Sequence, residues 1–444
     1  MVHFTSRLIV FIIVLSFSSS VVLSSATPAL VLKLIHPNQI YSQKHAHAER
    51  ASVARLDYLQ AMARGDILAH IYPNAPPAYL VNVSIGSPPV NQLLHMDTAS
   101  GLSWLQCRPC TNCYSQNIPI FDPSKSITYR KEFCEPSDDI PKLTFDAKTR
   151  TCRYSIKYVD DTGSRGTLAS ETLTFSAIYG ESSHSSSLRD VVFGCGHDNY
   201  GEPQQGTGVL GLGYGKYSLL HRFGSKFSYC LGSLDDPSYH YNVFVIGDLG
   251  ADMGEPTSLE IENGMYYVGV EGISVDGTIL PIEPWVFQRN YQSNSSGTII
   301  DTGTSLTMLA TEAYEPLKEH IDDIFDGRFE PQQRRTTGNA VRTCYNGNFE
   351  QDILESGFPT VRIHFTGAGE LSLDAKSLFT KLSPTKFCLN VIRTPTGRLN
   401  VIGASAQQNH NIGFDLGAHT ISFERLDCEI LFDDRSKFNV HHHH

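Results

Sequence analysis

The chain has 444 residues, of which 41% are hydrophobic and 18% are charged, and its formal net charge is −11 at pH 7. This length accommodates two β-rich domains plus processing segments, and the hydrophobic content is ordinary for a protein that buries a core. The negative charge argues against nucleic-acid binding, because proteins of that class present basic patches to phosphates. The charge is compatible with simple solubility and equally with a protein that works in acid, where carboxylates are protonated and repel one another less.

The N-terminus has the pattern of a secretion signal. Arg7 precedes an apolar run over residues 8–15, and small residues continue to Ala26. A membrane anchor is the alternative interpretation, but the apolar run is short for a bilayer-spanning helix. Its length and the small residues after it suit a cleaved signal. We therefore predict a signal peptide at residues 1–25, a secreted protein and no membrane anchor.

Residues 26–72 are polar and mildly basic, unlike the sequence that follows them, and a short tail at 431–444 is treated separately. The first range has more basic than acidic side chains: Lys33, Lys44, Arg50, Arg55 and Arg64 against Glu49, Asp57 and Asp66. We predict a removable pro-segment with an amphipathic helix at 51–63, released from an acidic cleft when the cleft carboxylates take up protons. A disordered linker is the alternative. The tail at 431–444 ends in four histidines and is assigned no function.

From Tyr79 onwards the chain alternates apolar and polar residues with the period of two that is typical of half-buried strands. Turn-forming residues recur at short intervals, and helical periodicity is scarce. The clearest helix candidate covers residues 311–325, with Thr311 as its N-cap and Glu312 in its first turn. The pattern predicts an all-β architecture with two lobes.

Ten cysteines in a secreted chain predict disulfide bonds. The spacing of Cys107, Cys110 and Cys113 leaves zinc binding as an alternative, which the lack of paired histidines nearby disfavours, so no metal site is predicted. Cys344 and Cys388 are the best local candidates for a pair. The full set of disulfide candidates is Cys107, Cys110, Cys113, Cys134, Cys152, Cys195, Cys230, Cys344, Cys388 and Cys428.

Two glycosylation sequons are present, at Asn82 and at Asn294. Asn294 lies in a polar loop and is the better candidate. Asn82 falls inside an alternating strand pattern, which makes it the weaker of the two.

One short motif occurs twice, far apart in the chain. The first copy reads Asp-Thr-Ala-Ser from Asp97, and the second reads Asp-Thr-Gly-Thr from Asp301, each directly after an apolar run. Each is followed much later by an apolar pair and a glycine, at 209–211 and at 401–403. This repetition predicts two homologous lobes, each of which brings one carboxylate to a shared cleft. Two carboxylates at one place do not both ionise easily, so one holds a proton and the pair contains both an acid and a base.

With these motifs in order, the chain resembles pepsin-like aspartic proteases, and within them the nepenthesin-like plant group. The similarity extends from about Tyr79 to Cys428, and further motifs carry it: Phe121 to Tyr129, Phe193 to Asn199 and Lys226 to Cys230. The resemblance implies a bilobal all-β fold with a central cleft. It implies an N-terminal lobe at 73–247 with a Cys-rich insert at 107–152 and a flap, and a C-terminal lobe at 248–430. It also implies a monomer that cleaves polypeptide substrates without a cofactor, in the apoplast or the vacuole.

The resemblance also implies roles for individual residues. Asp97 and Asp301 would be the catalytic pair that activates a water molecule; a proton-sharing carboxylate pair is the standard example of this effect in aspartic proteases. Thr98 and Thr302 would hold the two loops to each other's backbone. Ser100 and Thr304 would each donate a hydrogen bond to the aspartate of their own loop. Gly303, in the second loop, would support the same arrangement. For all these hydroxyls, ordinary turn formation is the alternative interpretation.

The flap is expected to include Tyr158, supported by a hydrogen bond from Trp104, although Val159 stands where the family usually has glycine. A core role for Trp104 and an ordinary strand position for Tyr158 are the alternatives. The group usually carries twelve cysteines, so the insert here is expected to have one disulfide fewer.

The main departure from the family pattern is Ala99, where the first loop would have glycine. A positive φ at this position would cost on the order of 1 kcal/mol, whereas a negative φ leaves only a steric effect. We expect an active acid endopeptidase. A catalytically weak or inactive pepsin-like binding or inhibitor protein is the alternative, and a disulfide-rich β binding module without a cleft is a third hypothesis that the repeated motif disfavours.

Overall fold

A computed structural model describes most of the chain between residues 30 and 429. The described ranges are 30–33, 67–74, 78–135, 142–158, 163–179, 182–200, 206–234, 236, 239, 241–248, 251–291, 296–335, 341–394 and 399–429. The predicted signal peptide at 1–25, the predicted helix at 51–63, Val159, Asn294 and the tail at 431–444 lie outside these ranges.

The first half of the described chain consists almost entirely of strands. They are β1 Leu30–Lys33, β2 Ile67–Asn74, β3 Ala78–Ile85, β4 Val90–Asp97, β5 Trp104–Gln106, β6 Arg130–Lys131, β7 Lys142–Asp146, β8 Thr151–Lys157, β9 Gly163–Tyr179, β10 Ser182–Tyr200, β11 Gly208–Gly211, β12 Lys226–Leu231 and β13 Val243–Ile246. A short α-helix, Leu219–Phe223, and a 3₁₀ turn, Pro123–Lys125, interrupt them.

The second half repeats this composition. Its strands are β14 Glu255–Glu262, β15 Met265–Val268, β16 Val270–Val275, β17 Thr278–Ile279, β18 Thr298–Ile300, β19 Thr307–Ala310, β20 Pro331–Arg335, β21 Val341–Asn346, β22 Val361–Phe365, β23 Glu370–Leu373, β24 Phe379–Ser383, β25 Lys386–Thr394, β26 Asn400–Ile402, β27 His410–Asp415 and β28 Thr420–Arg425. Its helical segments are α-helices Thr311–Phe325 and Ala375–Leu378, 3₁₀ turns Pro284–Val286 and Ala404–Gln407, and one π-helical turn, Glu350–Glu355. The predicted all-β, two-lobed fold is confirmed.

The two halves share one antiparallel sheet. Its strand order is β1-β13-β12-β27-β28-β14, so that β12 from the first half pairs with β27 from the second. Across this junction the rings of Phe227 and Phe414 stack with centroids 4.3 Å apart. Strand β1, inside the predicted pro-segment, pairs with β13 and, at Leu30, with β2, and β2 pairs with β3. The boundaries of the pro-segment and the lobes stay predictions.

The repeat is visible in strand register. In the first half, β11 runs parallel to β4, with Gly211 opposite Asp97, and antiparallel to β5, with Val209 opposite Trp104. In the second half, β26 runs parallel to β18, with Ile402 opposite Ile300, and antiparallel to β19. The same three-strand unit therefore positions both Asp-Thr motifs.

Five disulfides involve all ten cysteines. They are Cys107–Cys195, Cys110–Cys113, Cys134–Cys152, Cys230–Cys428 and Cys344–Cys388. The Cys344–Cys388 bond is the pairing expected from the sequence. Because Cys107, Cys110 and Cys113 are all oxidised, they do not form the alternative zinc site.

The predicted helix at 311–325 is present with those bounds, but the predicted N-cap is wrong. Ala310 occupies the N-cap position, and Thr311 is already the first helical residue. The Thr311 hydroxyl instead donates to the Thr394 carbonyl, 2.9 Å away, which fastens the helix start to strand β25. A tertiary hydrogen bond has thus replaced the local cap that the sequence suggested.

Candidate active site

Asp97 is the last residue of strand β4, and Asp301 directly follows strand β18. Both aspartates are buried, with 8% and 7% of their surface exposed. Their loops lie against each other, since an added Cβ on Gly303 would stand 2.7 Å from Cγ of Asp97. The repeated strand unit therefore brings the two sequence-distant carboxyl groups to one place.

The two loops exchange hydrogen bonds through their threonines. The Thr98 hydroxyl donates to the Ile300 carbonyl at 3.3 Å and accepts from the Thr302 amide at 3.0 Å. Reciprocally, the Thr302 hydroxyl donates to the Met96 carbonyl at 2.9 Å and accepts from the Thr98 amide at 3.2 Å. Both threonines are buried. These four bonds hold the backbones of the two loops in a fixed relation, which two mutually repelling carboxylates require.

Each aspartate is also oriented within its own loop. Ser100 Oγ donates to Asp97 Oδ2 at 2.5 Å, and Thr304 Oγ1 donates to Asp301 Oδ2 at 2.5 Å. The backbone amide two residues after each aspartate donates to the other carboxyl oxygen, at 2.8 Å in the first loop and 2.9 Å in the second. The two loops thus have the same hydrogen-bond pattern, although one contains Ala99 and the other Gly303.

Burial of both carboxyl groups raises both pKa values. Removal from water is the main cause for Asp97, and the charge of Asp301 adds to it, so that the pKa of Asp97 rises to about 7. Burial also raises the pKa of Asp301, against hydrogen bonds from Thr304 and the loop backbone. Because the two groups interact strongly, they titrate as a pair. Over the acid range between the two steps, the pair holds one proton and offers one acid and one base.

Ala99 does not require the left-handed backbone region, since it is absent from the non-glycine residues with positive φ among the described part of the chain. Its amide makes the same bond as that of Gly303, so the methyl group leaves the loop conformation intact. An added Cβ at Gly303 would lie 2.8 and 3.1 Å from the two carboxyl oxygens of Asp97. From the shared hydrogen-bond pattern, we expect the Ala99 methyl group to lie against the Asp301 carboxyl.

Tyr158 and Trp104 extend this hydrogen-bond network outward from Asp97. The Trp104 indole donates to the Tyr158 hydroxyl at 2.8 Å, and that hydroxyl lies 3.3 Å from Ser100 Oγ. The Ser100 hydroxyl therefore links the Tyr158 hydroxyl to the carboxyl group of Asp97. Tyr158 follows strand β8 directly and lies within the segment predicted as the flap.

A small apolar cluster lies beside each aspartate, separate from the main core. Beside Asp97, the cluster includes Trp104, Tyr154 and Val209, with Tyr158 packed against it. On the strands around Asp301, the cluster consists of Tyr267, Ile299 and Val401, with three partly buried neighbours, Met265, Met308 and Leu399. Each half of the chain therefore has a small apolar cluster on the strands near its Asp-Thr motif.

Two pairs of supporting residues were missed by the sequence analysis. Ser103 and Thr307, each six residues after its aspartate, accept hydrogen bonds from the amides of Gly211 and Gly403 at 3.0 and 3.3 Å. Their equal spacing from the two motifs was a signal that could have identified them. Gln407 and Tyr229 form a buried contact beneath Asp301, and nothing in the local sequence indicates it.

His410 is a further buried titratable group, and its pKa shifts in the opposite direction to that of the two aspartates. It is fully buried, its Nδ1 lies 2.8 Å from the Gln408 carbonyl, and its Nε2 accepts from the Ser372 amide at 3.2 Å. These partners require a neutral ring with its proton on Nδ1. Burial lowers the pKa of His410 to about 4.

Within the described ranges, no cluster of three or more His, Cys, Asp or Glu residues is arranged to hold a metal ion. The same part of the chain contains no helix with the length and apolar character needed to cross a membrane. Of the two sequon asparagines, Asn82 is half-buried in β3 opposite Leu93, and Asn294 lies outside the described residues. Glycosylation at either stays a prediction.

Comparison with known families and relatives gives matches over nearly all the described chain. The family described as "Xylanase inhibitor N-terminal" matches residues 79–248, and that described as "Xylanase inhibitor C-terminal" matches residues 265–425. "Aspartyl protease UND" of Arabidopsis thaliana is 35% identical over 361 residues, covering 80% of this chain and 86% of the relative. "Aspartic proteinase nepenthesin-1" of Nepenthes gracilis is 30% identical over 390 residues, covering 86% and 85%.

Solved structures share the fold at lower identity. Basic 7S globulin from soybean superposes with a TM-score of 0.62 and 19% identity, over 82% of this chain and 98% of that protein. Conglutin gamma from lupine seeds gives a TM-score of 0.59 and 18% identity, over 82% and 98%. These two likenesses concern the fold alone.

Proposed function

This chain belongs to the pepsin-like aspartic proteases of the nepenthesin-like plant group and is a hydrolase of the aspartic endopeptidase type, and we propose that it is secreted and cleaves peptide bonds at acid pH with Asp97 and Asp301 as its catalytic pair. The observation that carries this proposal is the pair of interlocked Asp-Thr loops. They hold two buried carboxyl groups with raised pKa values against each other.

The chemistry follows from the single shared proton. The ionised carboxylate accepts a proton from a water molecule as the water oxygen attacks the peptide carbonyl carbon. The protonated carboxyl donates its proton to the carbonyl oxygen, which gives a neutral tetrahedral intermediate. In the second step, the carboxyl that took the water proton donates it to the leaving nitrogen, and the other carboxylate takes a proton from one hydroxyl of the intermediate. The C–N bond breaks to give an amine and a carboxylic acid, and the pair is again singly protonated. Ser100 and Thr304 keep the carboxyl planes aligned during these transfers, because each donates to one oxygen of its aspartate.

The proposed substrate is an extended polypeptide. Partly buried side chains pack against the two apolar clusters, for example Tyr217 in the first half and Met308 in the second, and they support binding of apolar side chains on the two sides of the bond to be cleaved. The Trp104–Tyr158–Ser100 hydrogen bonds support a flap that closes over the substrate and is coupled to Asp97. No cofactor is needed for this chemistry, and we propose that the protein works as a monomer.

Secretion to the apoplast or delivery to the vacuole is part of the proposal. Five disulfides suit an oxidising compartment, and the N-terminal sequence has the pattern of a signal peptide. Acid in either compartment would keep the shared proton on the carboxyl pair.

A weakly active or inactive binding protein is the second candidate. Two observations favour it: the matching families are described as xylanase inhibitors, and Ala99 replaces the glycine of the first loop. Against it, both aspartates, both threonines and Tyr158 are present with a complete set of hydrogen bonds. The enzyme is therefore the preferred function.

The test is cleavage of an unfolded protein by the purified, processed chain at acid and at neutral pH. We expect cleavage in acid, inhibition by a peptide analogue with a hydroxyl in place of the scissile carbonyl, and loss of activity in Asp97→Asn. Asp276→Asn is the matched control, since Asp276 lies in an exposed turn with φ of 48° that asparagine also adopts. Absence of cleavage in acid, together with tight binding of a folded partner protein, would favour the second candidate.

A further inference from the structure

The main-chain carbonyl groups of the two aspartates have different hydrogen-bond donors. In the first lobe, the amide of Leu212 donates to the Asp97 carbonyl at 2.8 Å. Leu212 directly follows Gly211, the glycine that lies opposite Asp97 in the strand register. By the repeat, the residue that corresponds to Leu212 in the second lobe is Ala404, which follows Gly403.

Ala404 does not make the corresponding bond. Its amide donates to the Thr304 carbonyl at 2.8 Å, and the next amide, that of Ser405, donates to the Ser305 carbonyl at 3.0 Å. The reason is local: the chain enters the 3₁₀ turn Ala404–Gln407 immediately after Gly403. The Asp301 carbonyl therefore lacks the backbone donor that its counterpart in the first lobe has.

The side chain of Gln407 supplies the missing donor. Its Nε2 lies 3.3 Å from the Asp301 carbonyl and 2.8 Å from the Ile402 carbonyl, so its two hydrogens serve one acceptor each. Its Oε1 accepts from the Tyr229 hydroxyl at 2.8 Å. Gln407 and Tyr229 are both 0% exposed, so bulk water does not compete for these bonds.

We propose that Gln407 is a positioning residue for Asp301, an inference that rests on the proposed catalytic role of the aspartate pair. A buried carbonyl without a donor is unfavourable, and the peptide group relieves this by rotating towards another donor. Rotation of the Asp301 peptide group would move its carboxyl group relative to Asp97. Because Tyr229 lies on β12 in the first half of the chain, the Gln407 amide also joins that half to the backbone of Asp301.

The neighbouring Gln408 provides a matched control. It is 2% exposed, its Oε1 accepts from the Leu234 amide at 2.6 Å, and its Nε2 donates to the Ser405 carbonyl at 2.8 Å. Gln407→Met and Gln408→Met thus remove the same chemical group from equally buried positions, but only the first removes a contact with Asp301. Methionine keeps the length and approximate volume of glutamine.

We expect Gln407→Met to lower kcat by roughly tenfold, the effect of about 1.4 kcal/mol, with KM within about twofold of the wild type. The pH profile of kcat/KM should shift in the same variant, because the geometry of the carboxyl pair has changed. Gln408→Met should lose a similar amount of thermal stability while its kcat and pH profile stay those of the wild type.

A second pair of variants tests the same role if the methionine variants do not fold. A protonated glutamate at position 407 can still donate one hydrogen bond, so Gln407→Glu should keep most of its activity at the acid end and lose it as the new carboxyl ionises. Gln408→Glu should show no such pH-dependent loss of kcat. Equal kcat values in the two methionine variants, or equal pH profiles in the two glutamate variants, would overturn the positioning role. If the wild-type protein is active in the same assay, the proposed function still stands. A wild-type protein without activity would overturn both.

Discussion

Replacing Gly303 with alanine tests how closely the two Asp-Thr loops approach each other. An ideal Cβ at this position would lie 2.7 Å from Cγ, 2.8 Å from Oδ1 and 3.1 Å from Oδ2 of Asp97. A relaxed carbon–carbon contact is about 3.5–4.0 Å, so the carboxyl group or the loop has to move by most of an ångström. The Asp97 carboxyl cannot yield freely, because Ser100 and the Ala99 amide hold its two oxygens.

The expected consequences differ in size for stability and for catalysis. Overpacking by one methyl group costs about 1–3 kcal/mol in free energy of unfolding. A displacement of about 1 Å at reacting groups lowers turnover by about a hundredfold. Gly303→Ala should therefore remain folded, with a melting temperature reduced by several degrees, and lose on the order of a hundredfold in kcat.

The assay is steady-state cleavage of a peptide substrate in acid, with circular dichroism to verify the fold. Gly272→Ala is the control for the same substitution in the same lobe, because an added Cβ at Gly272 meets no atom within 4 Å. That variant should keep wild-type kcat. A Gly303→Ala enzyme with wild-type kcat would refute the argument that the second loop has no room for a side chain against Asp97.

The site gives three further predictions. Ala99→Gly should raise acid turnover several-fold with little change in melting temperature, because it removes the methyl group expected against Asp301; unchanged or lower turnover would contradict that placement. The pH profile of kcat/KM should be bell-shaped, with its upper limb near neutral pH where the pair, through the raised pKa of Asp97, loses the shared proton; a maximum above neutral pH would exclude this chemistry. In stability, Asp97 and His410 should act in opposite directions. The contribution of Asp97 is complete below pH 3.8 and is lost as pH rises through the raised pKa that burial and Asp301 give it, whereas that of His410 is complete above pH 6.5 and is lost as pH falls through about 4, on the order of 3 kcal/mol. Denaturant unfolding of Asp97→Asn and His410→Gln between these limits should give pH slopes of opposite sign relative to the wild type, and parallel slopes would refute the assignment.

The Asp-Thr repeat was readable from the sequence because it is local and occurs twice. A strand, a turn and a hydroxyl residue lie within a few positions of each aspartate, so the pattern alone predicted two lobes and a shared cleft. Cys344 and Cys388 were the best local candidates for a disulfide, and the structure places them opposite each other on neighbouring strands.

Features that depend on distant partners were not readable. The Tyr229–Gln407 hydrogen bond joins residues 178 positions apart, and either side chain alone looks like an ordinary polar residue in a strand or loop. The error at Thr311 has a related origin, because its hydroxyl bonds to Thr394 on another strand rather than to its own helix. In each case tertiary contacts decided the role of a side chain whose local sequence favoured another.

The Cys230–Cys428 bond has a mechanical consequence. It closes a loop with a sequence separation of 198 residues, which contains every strand from β13 to β28. If the two ends of the chain are pulled apart, tension passes from residue 230 to residue 428 through the sulfur atoms, and the residues between them carry none of it. Asp97 precedes every disulfide and lies on the tensioned path, whereas Asp301 lies inside the shielded loop. Under force, the site should therefore fail from the side of Asp97, while the strands around Asp301 stay folded until the bond is reduced.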